Sequence, residues 1–132
     1  MRYMLDTNIC VYLMKAHPPE VLARLLQLNH GDAVMSIITY AELRVGLEGL
    51  GPTRAQNERA LHLLTRDILV LPFDEAAAER YGVQRAAVRD RRRDALDRLI
   101  AAHAASLSLV LVTNNEADFR DYPGLKIENW VQ

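Results

Sequence analysis

The sequence predicts an α/β fold, a three-layer α/β/α sandwich around a mainly parallel sheet, with residues 1–132 forming one domain. Three observations lead there. Short apolar runs alternate with helix-length amphipathic segments along the whole chain, which is how β–α units read. At 132 residues the chain has the length of one ordinary domain. No internal repeat, linker or low-complexity segment divides it.

The elements follow in order. Arg2 to Leu5 forms a first short strand, and Ile9 to Met14 a short helix. "HPPEVLARLLQL" starts a new helix, with Pro18 and Pro19 acceptable in its first turn. Its Val21, Leu22, Leu25, Leu26 and Leu28 have helical spacing. "NHGD" is a turn and "AVMS" (33–36) a strand. Ile38 to about Leu50 is a helix closed by Gly49, Gly51 and Pro52, and residues 54–66 form another, with Ala60, Leu61 and Leu64 on one face. "ILVLPF" (68–73) is a buried-type strand, and Asp74 an N-cap for a helix through about Arg89. "RDRRRD" (89–94) is a charged break, and residues 95–106 an Ala-rich helix suited to close packing. "LVLVT" (109–113) is the clearest strand, "NNEADF" a loop or single helical turn, and "KIEN" (126–129) a last strand.

Half of the residues are hydrophobic, so one sizeable core is feasible. A net charge of −1 rules against a whole-surface polyanion binder, so any nucleic-acid contact must come from a local patch. A single cysteine, Cys10, allows no intrachain disulfide, which fits a reducing compartment. Asp6 falls too early for a signal-peptide apolar region, and no apolar run reaches the roughly 18 residues of a membrane span. The expectation is a soluble, cytoplasmic protein with no membrane partner.

In a parallel α/β sheet, ligands bind beyond the carboxyl ends of the strands. Asp6 directly follows the first strand, within "DTN". Glu42 falls in the first turns of the helix after "AVMS", Asp97 in the first turn of the helix before "LVLVT", and Asp118 just after that strand. Four carboxylates on one rim would repel one another without a cation. An all-oxygen set suits magnesium or manganese, which can activate water and neutralise charge on a phosphodiester. Each acid also has a structural alternative. Thr39-Tyr-Ala-Glu42 and Asp94-Ala-Leu-Asp97 both match a capping box, and Asp6 could cap the helix that begins near Ile9.

The chain resembles the PIN-domain ribonucleases, and among them the VapC-type toxins of bacterial VapBC toxin–antitoxin pairs. Six segments in order carry the resemblance: "YMLDTNI", "SIITYAELRVGLE", "LPFDEAAAERYG", "ALDRLIAAHA", "LVTNNEADF" and "GLKIENW". It implies that Asp6, Glu42, Asp97 and Asp118 are the catalytic and metal-binding acids, with Asn8, Thr113 and Asn115 supporting them. It further implies Mg2+- or Mn2+-dependent endonucleolytic cleavage of RNA, often tRNA, which inhibits translation and leaves 5′-phosphate and 3′-hydroxyl ends. The implied partners are a cognate antitoxin that blocks the site and a second copy in a homodimer. The chain departs from the family pattern before the third acid, where "RDRRRDALD" places Asp94 at a position commonly glycine.

Arg89, Arg91, Arg92, Arg93 and Arg98 form a candidate RNA-phosphate patch running into Asp97, set against the alternative of a solvated helix end. His103 points about 120° away from Asp97 around its helix and is expected to pack or hydrogen-bond. Other functions fit less well. A receiver domain lacks its strand-three aspartate context, and a haloacid-dehalogenase-type phosphatase would need an acid where Asn8 stands. A PIN-like module that has lost catalysis and only docks a protein or RNA partner remains as the alternative.

Overall fold

A computed structural model describes residues 1–87 and 95–132. Along the chain run β1 (Tyr3–Leu5), α1 (Thr7–Lys15), α2 (Pro19–Leu26), β2 (Ala33–Ser36), α3 (Ile37–Glu48), α4 (Arg54–Asp67) and β3 (Leu69–Leu71). They are followed by α5 (Glu75–Ala87), α6 (Ala95–Ser106), β4 (Val110–Val112), α7 (Glu116–Phe119) and β5 (Lys126–Glu128). The five strands form one sheet in the order β3-β2-β1-β4-β5, and every pairing is parallel.

Strand pleating divides the core into two layers. Tyr3, Leu5, Ala33, Met35 and Val112 face one side, where they pack with Ile9, Leu13, Val21, Leu47 and Leu61 of the surrounding helices. Met4, Val34 and Leu111 face the other side and meet Ile100, Ala101 and Ala104 of α6, with Phe119 and Tyr122 beyond them. With its sheet covered on both faces, the chain has the three-layer α/β/α architecture expected of it. Alanines in α6 let that helix sit close to the sheet, and seven of its twelve residues are buried.

Among the described residues the expected elements form, with three differences; the charged break at 89–94 and the helix end expected at about Arg89 lie outside those residues. "ILVLPF" is not a buried strand: only Leu69–Leu71 pairs, and Leu69 is 61% exposed because β3 lies at the sheet edge, where one side has no neighbour. Pro72 then lacks the N–H that another ladder bond would need. The first helix is longer than expected, starting at Thr7 and ending at Lys15, because Asp6 caps it. Glu42 is not the acid of a capping box: Ser36 caps α3 by accepting from Ile38 N–H at 3.0 Å, one turn ahead of Thr39. Asp74 caps α5 as expected, accepting from Ala77 N–H at 3.0 Å.

Candidate active site

From β1 the chain steps to β2 and β3 on one side, then crosses to β4 on the other. The boundary between β1 and β4 is therefore where strand order reverses, and such switch points open a crevice beyond the carboxyl ends. Asp6 and Thr113 close those two strands. Asp6 N–H donates to the Val112 carbonyl at 3.0 Å, and Thr113 N–H to the Glu128 carbonyl at 3.0 Å.

Asp6 is 5% exposed. Its carboxylate accepts from Ile9 N–H at 3.0 Å, from the Asn8 N–H and from the Thr113 hydroxyl. Those bonds favour the ionised form, yet burial outweighs them and pushes the pKa up to about 6, with the charge of Glu42 adding to the rise. Glu42 is thus near enough for its charge to oppose ionisation of Asp6. Glu42 is half-buried in the second turn of α3, and Thr7 Oγ1 donates to its Oε1 at 2.6 Å.

Asp97 lies half-buried in the first turn of α6, and Asp118 half-buried on α7, the element that follows β4. Among the described residues, no three His, Cys, Asp or Glu side chains stand close enough together to hold a metal ion. Of the four expected acids, the structure brings Glu42 within electrostatic reach of Asp6, and it does not gather Asp97 or Asp118 with them into one cluster.

The residues expected to support the site make contacts the sequence did not show. Asn8 and Asn115 are exposed, and each contributes its backbone amide: Asn8 to Asp6, and Asn115 to Thr113 Oγ1 at 3.0 Å. Thr113 is fully buried and relays between that amide and Asp6. Thr7 was not singled out, although it is the middle residue of "DTN" and is the one that touches Glu42. A hydroxyl between an N-cap acid and an apolar helix was the signal available. Asn114 Nδ2 donates to the Tyr12 hydroxyl at 2.9 Å and ties the loop after β4 to α1.

Arg89, Arg91, Arg92 and Arg93 lie outside the described residues, as does Asp94. Arg98 corrects the patch assignment. It is 3% exposed, with Nε and Nη2 buried and without hydrogen-bond partners among the described residues, so it is not a surface contact for phosphate. The reason is its place in α6, where it is enclosed along with most of the helix. Beside Glu42, a groove of about 400 Å³ runs between α1, α3 and α4, lined by Thr7, Val11, Met14, Lys15, Leu47 and Asn57 among others. Among the described residues no helix is long and apolar enough to cross a membrane.

The family model described as the PIN domain matches residues 3–125. Ribonuclease VapC1 of Haemophilus influenzae strain R2866 is 40% identical, and the match covers all of both chains. The tRNA(fMet)-specific endonuclease VapC of Shigella flexneri is 36% identical over 98% of each chain. In solved structures, a chain of VapBC2 from Rickettsia felis, bound to a DNA fragment from its promoter, superposes with a TM-score of 0.91 at 33% identity, covering 99% of this chain and all of that one. A parallel five-stranded sheet with an acid at its switch point, a family match over nearly the whole length and full-length relatives that are VapC ribonucleases lead to one conclusion: the chain belongs to the PIN domain family, in its VapC branch.

Proposed function

We propose that this chain is a divalent-metal-dependent endoribonuclease, the toxin of a toxin–antitoxin pair, that cleaves RNA of the tRNA class and so inhibits translation. The observation that carries the proposal is the Asp6–Glu42 pair at the switch point. A buried carboxylate made costlier to ionise by a second one beside it is a place where a cation relieves both penalties. The donors fit magnesium or manganese, which are commonly held by one or two carboxylates and several waters. Asp6 and Glu42 would hold such an ion, with Asp97 and Asp118 as the further acids available to it. When bound, the ion supplies an activated water and neutralises charge that develops on a phosphodiester.

The remaining chemistry belongs to the chain itself. Thr113 and the amides of Asn8 and Ile9 aim the Asp6 carboxylate, and Thr7 aims Glu42. Arg89, Arg91, Arg92 and Arg93 supply phosphate contacts that position RNA without reading its bases. The groove beside Glu42 supports a protein partner, since apolar walls ending at an acid fit an apolar segment that carries a basic side chain. The relatives include VapBC complexes, and we take that partner to be a cognate antitoxin. Exposed Val45 on α3 and Leu63 on α4 support pairing with a second copy.

The test is induced expression in a bacterial host with and without the small neighbouring reading frame, followed by sequencing of newly formed RNA ends. Growth arrest with discrete new ends, relieved by co-expression, is the expected result. One observation favours a second reading, a PIN-like docking module without catalysis: the described acids do not gather three at a time. Stable complex formation with no RNA cleavage under any divalent metal would support that reading instead.

A further inference from the structure

His103 sits six residues beyond Asp97 on α6 and is 2% exposed. Its Nδ1 is 2.8 Å from Ser36 Oγ, a buried pair that links residues 67 positions apart. The ring also donates an N–H to the Pro72 carbonyl. A neutral imidazole satisfies both partners when Nε2–H points at Pro72 and Nδ1 accepts the Ser36 hydroxyl proton. Ser36 Oγ then remains free to accept from Ile38 N–H, which caps α3. Phe73 packs edge-on against the ring, with centroids 5.4 Å apart, and Asp74, the cap of α5, is near enough for its charge to act on the ring.

One side chain thus meets the end of β2, the start of α3, the end of β3 and the lead-in to α5. Glu42 is six residues past Ser36, and Asp97 six residues before His103. On rigid helices each acid is about 9 Å from the joint, so a tilt of about 10° there would carry a carboxylate about 1.5 Å. Displacements of that size cost about a hundredfold in rate when reacting groups must be aligned.

We propose that His103 is a positioning residue for the acidic site, setting α6 and Asp97 against α3 and Glu42 through its bonds to Ser36 and Pro72. This rests on the proposed function above. The test compares His103→Phe, which keeps a ring without the hydrogen bonds, with His103→Asn, whose amide can still meet Ser36. Ile100→Val, a core change on the same helix away from the joint, controls for lost stability. Each protein is titrated with Mn2+ by electron paramagnetic resonance, melted without metal, and assayed for RNA cleavage.

His103→Phe should bind Mn2+ about tenfold more weakly and cleave about a hundredfold more slowly, beyond any effect in Ile100→Val. His103→Asn should recover most of both. If His103→Phe and Ile100→Val lower the melting temperature alike and leave Mn2+ affinity and rate alike, His103 is structural only and the proposal fails. Should His103→Phe not fold, Ser36→Ala removes the hydroxyl and carries the same test: unchanged Mn2+ affinity overturns the proposal. A wild-type chain that neither binds Mn2+ nor cleaves RNA would overturn the proposed function and this inference together. A wild-type chain that does both, with His103→Phe tracking the control, overturns this inference alone.

Discussion

Replacing Asp6 by asparagine should stabilise the metal-free fold while abolishing cleavage. The folded Asp6 carboxyl holds its proton up to about pH 6, against an ordinary value of 3.8. A rise of about two pH units corresponds to about 3 kcal/mol. The sign follows from which state binds the proton more tightly. Between pH 3.8 and 6 the folded chain does, so stability falls as pH rises through that window, and above it the ionised group costs its full amount. Asparagine carries no charge at any of these pH values, and its carbonyl oxygen can still accept from Ile9 N–H. Burying an amide NH2 among groups that do not all match it returns about 1 kcal/mol of the gain. A net gain of about 2 kcal/mol at pH 7.5 corresponds to about 6 °C in Tm for a chain of this size. The assay is urea and thermal unfolding of wild type and Asp6→Asn in chelator between pH 4 and 7.5. The advantage of the variant should grow by about 2.5 kcal/mol across that range. Mn2+ should then raise the Tm of wild type and leave the variant unmoved. A pH-independent difference, or a variant less stable at pH 7.5, would refute the account of Asp6 as a carboxylate under strain.

Thr113→Val removes the hydroxyl that lowers the Asp6 pKa, so the Asp6 carboxyl should titrate above pH 6 when followed by carbon-detected NMR; no shift would mean that Thr113 does not orient Asp6. Arg98→Met exchanges a buried guanidinium, two of whose nitrogens are unmatched among the described residues, for an apolar chain, and should be neutral or stabilising by about 1–3 kcal/mol in urea unfolding. It should also leave the salt dependence of RNA binding unchanged, whereas a flatter dependence would return Arg98 to the phosphate surface. Asp74→Ala removes the cap of α5 and should cost about 1 kcal/mol of stability with little effect on Mn2+ affinity.

Much of this fold could be read from residue order, because β–α alternation is a local pattern. Ala95–Ser106, Ala33–Ser36 and the Asp74 cap were legible since their signals lie within a few residues of one another. What failed depended on distant partners. "ILVLPF" looks like a central strand by composition, and only the strand order reveals that β3 is an edge. Ser36 and Thr39 are both plausible caps one turn apart; the close junction of β2 and α3 selects Ser36 and leaves Glu42 out of the cap. Arg98 continues a run of arginines that reads as solvated, and its burial follows from the packing of α6. Asp6 needed no choice between cap and site acid, because one carboxylate caps α1 and faces Glu42. The bonds from Thr7 to Glu42 and from His103 to Ser36 span 35 and 67 positions, and no local pattern announces them.

We propose that Asp6 and Glu42 together form a metal-dependent RNA-cleaving site. Its most direct test is incubation of the purified chain with total tRNA in Mg2+, in Mn2+ and in chelator, alongside Asp6→Asn and Glu42→Gln, with all new 5′ ends sequenced. Wild type should make discrete cuts with either metal and none in chelator, and each variant should lose at least about a hundredfold. Cleavage that survives in chelator, or that either variant performs at the wild-type rate, would contradict it.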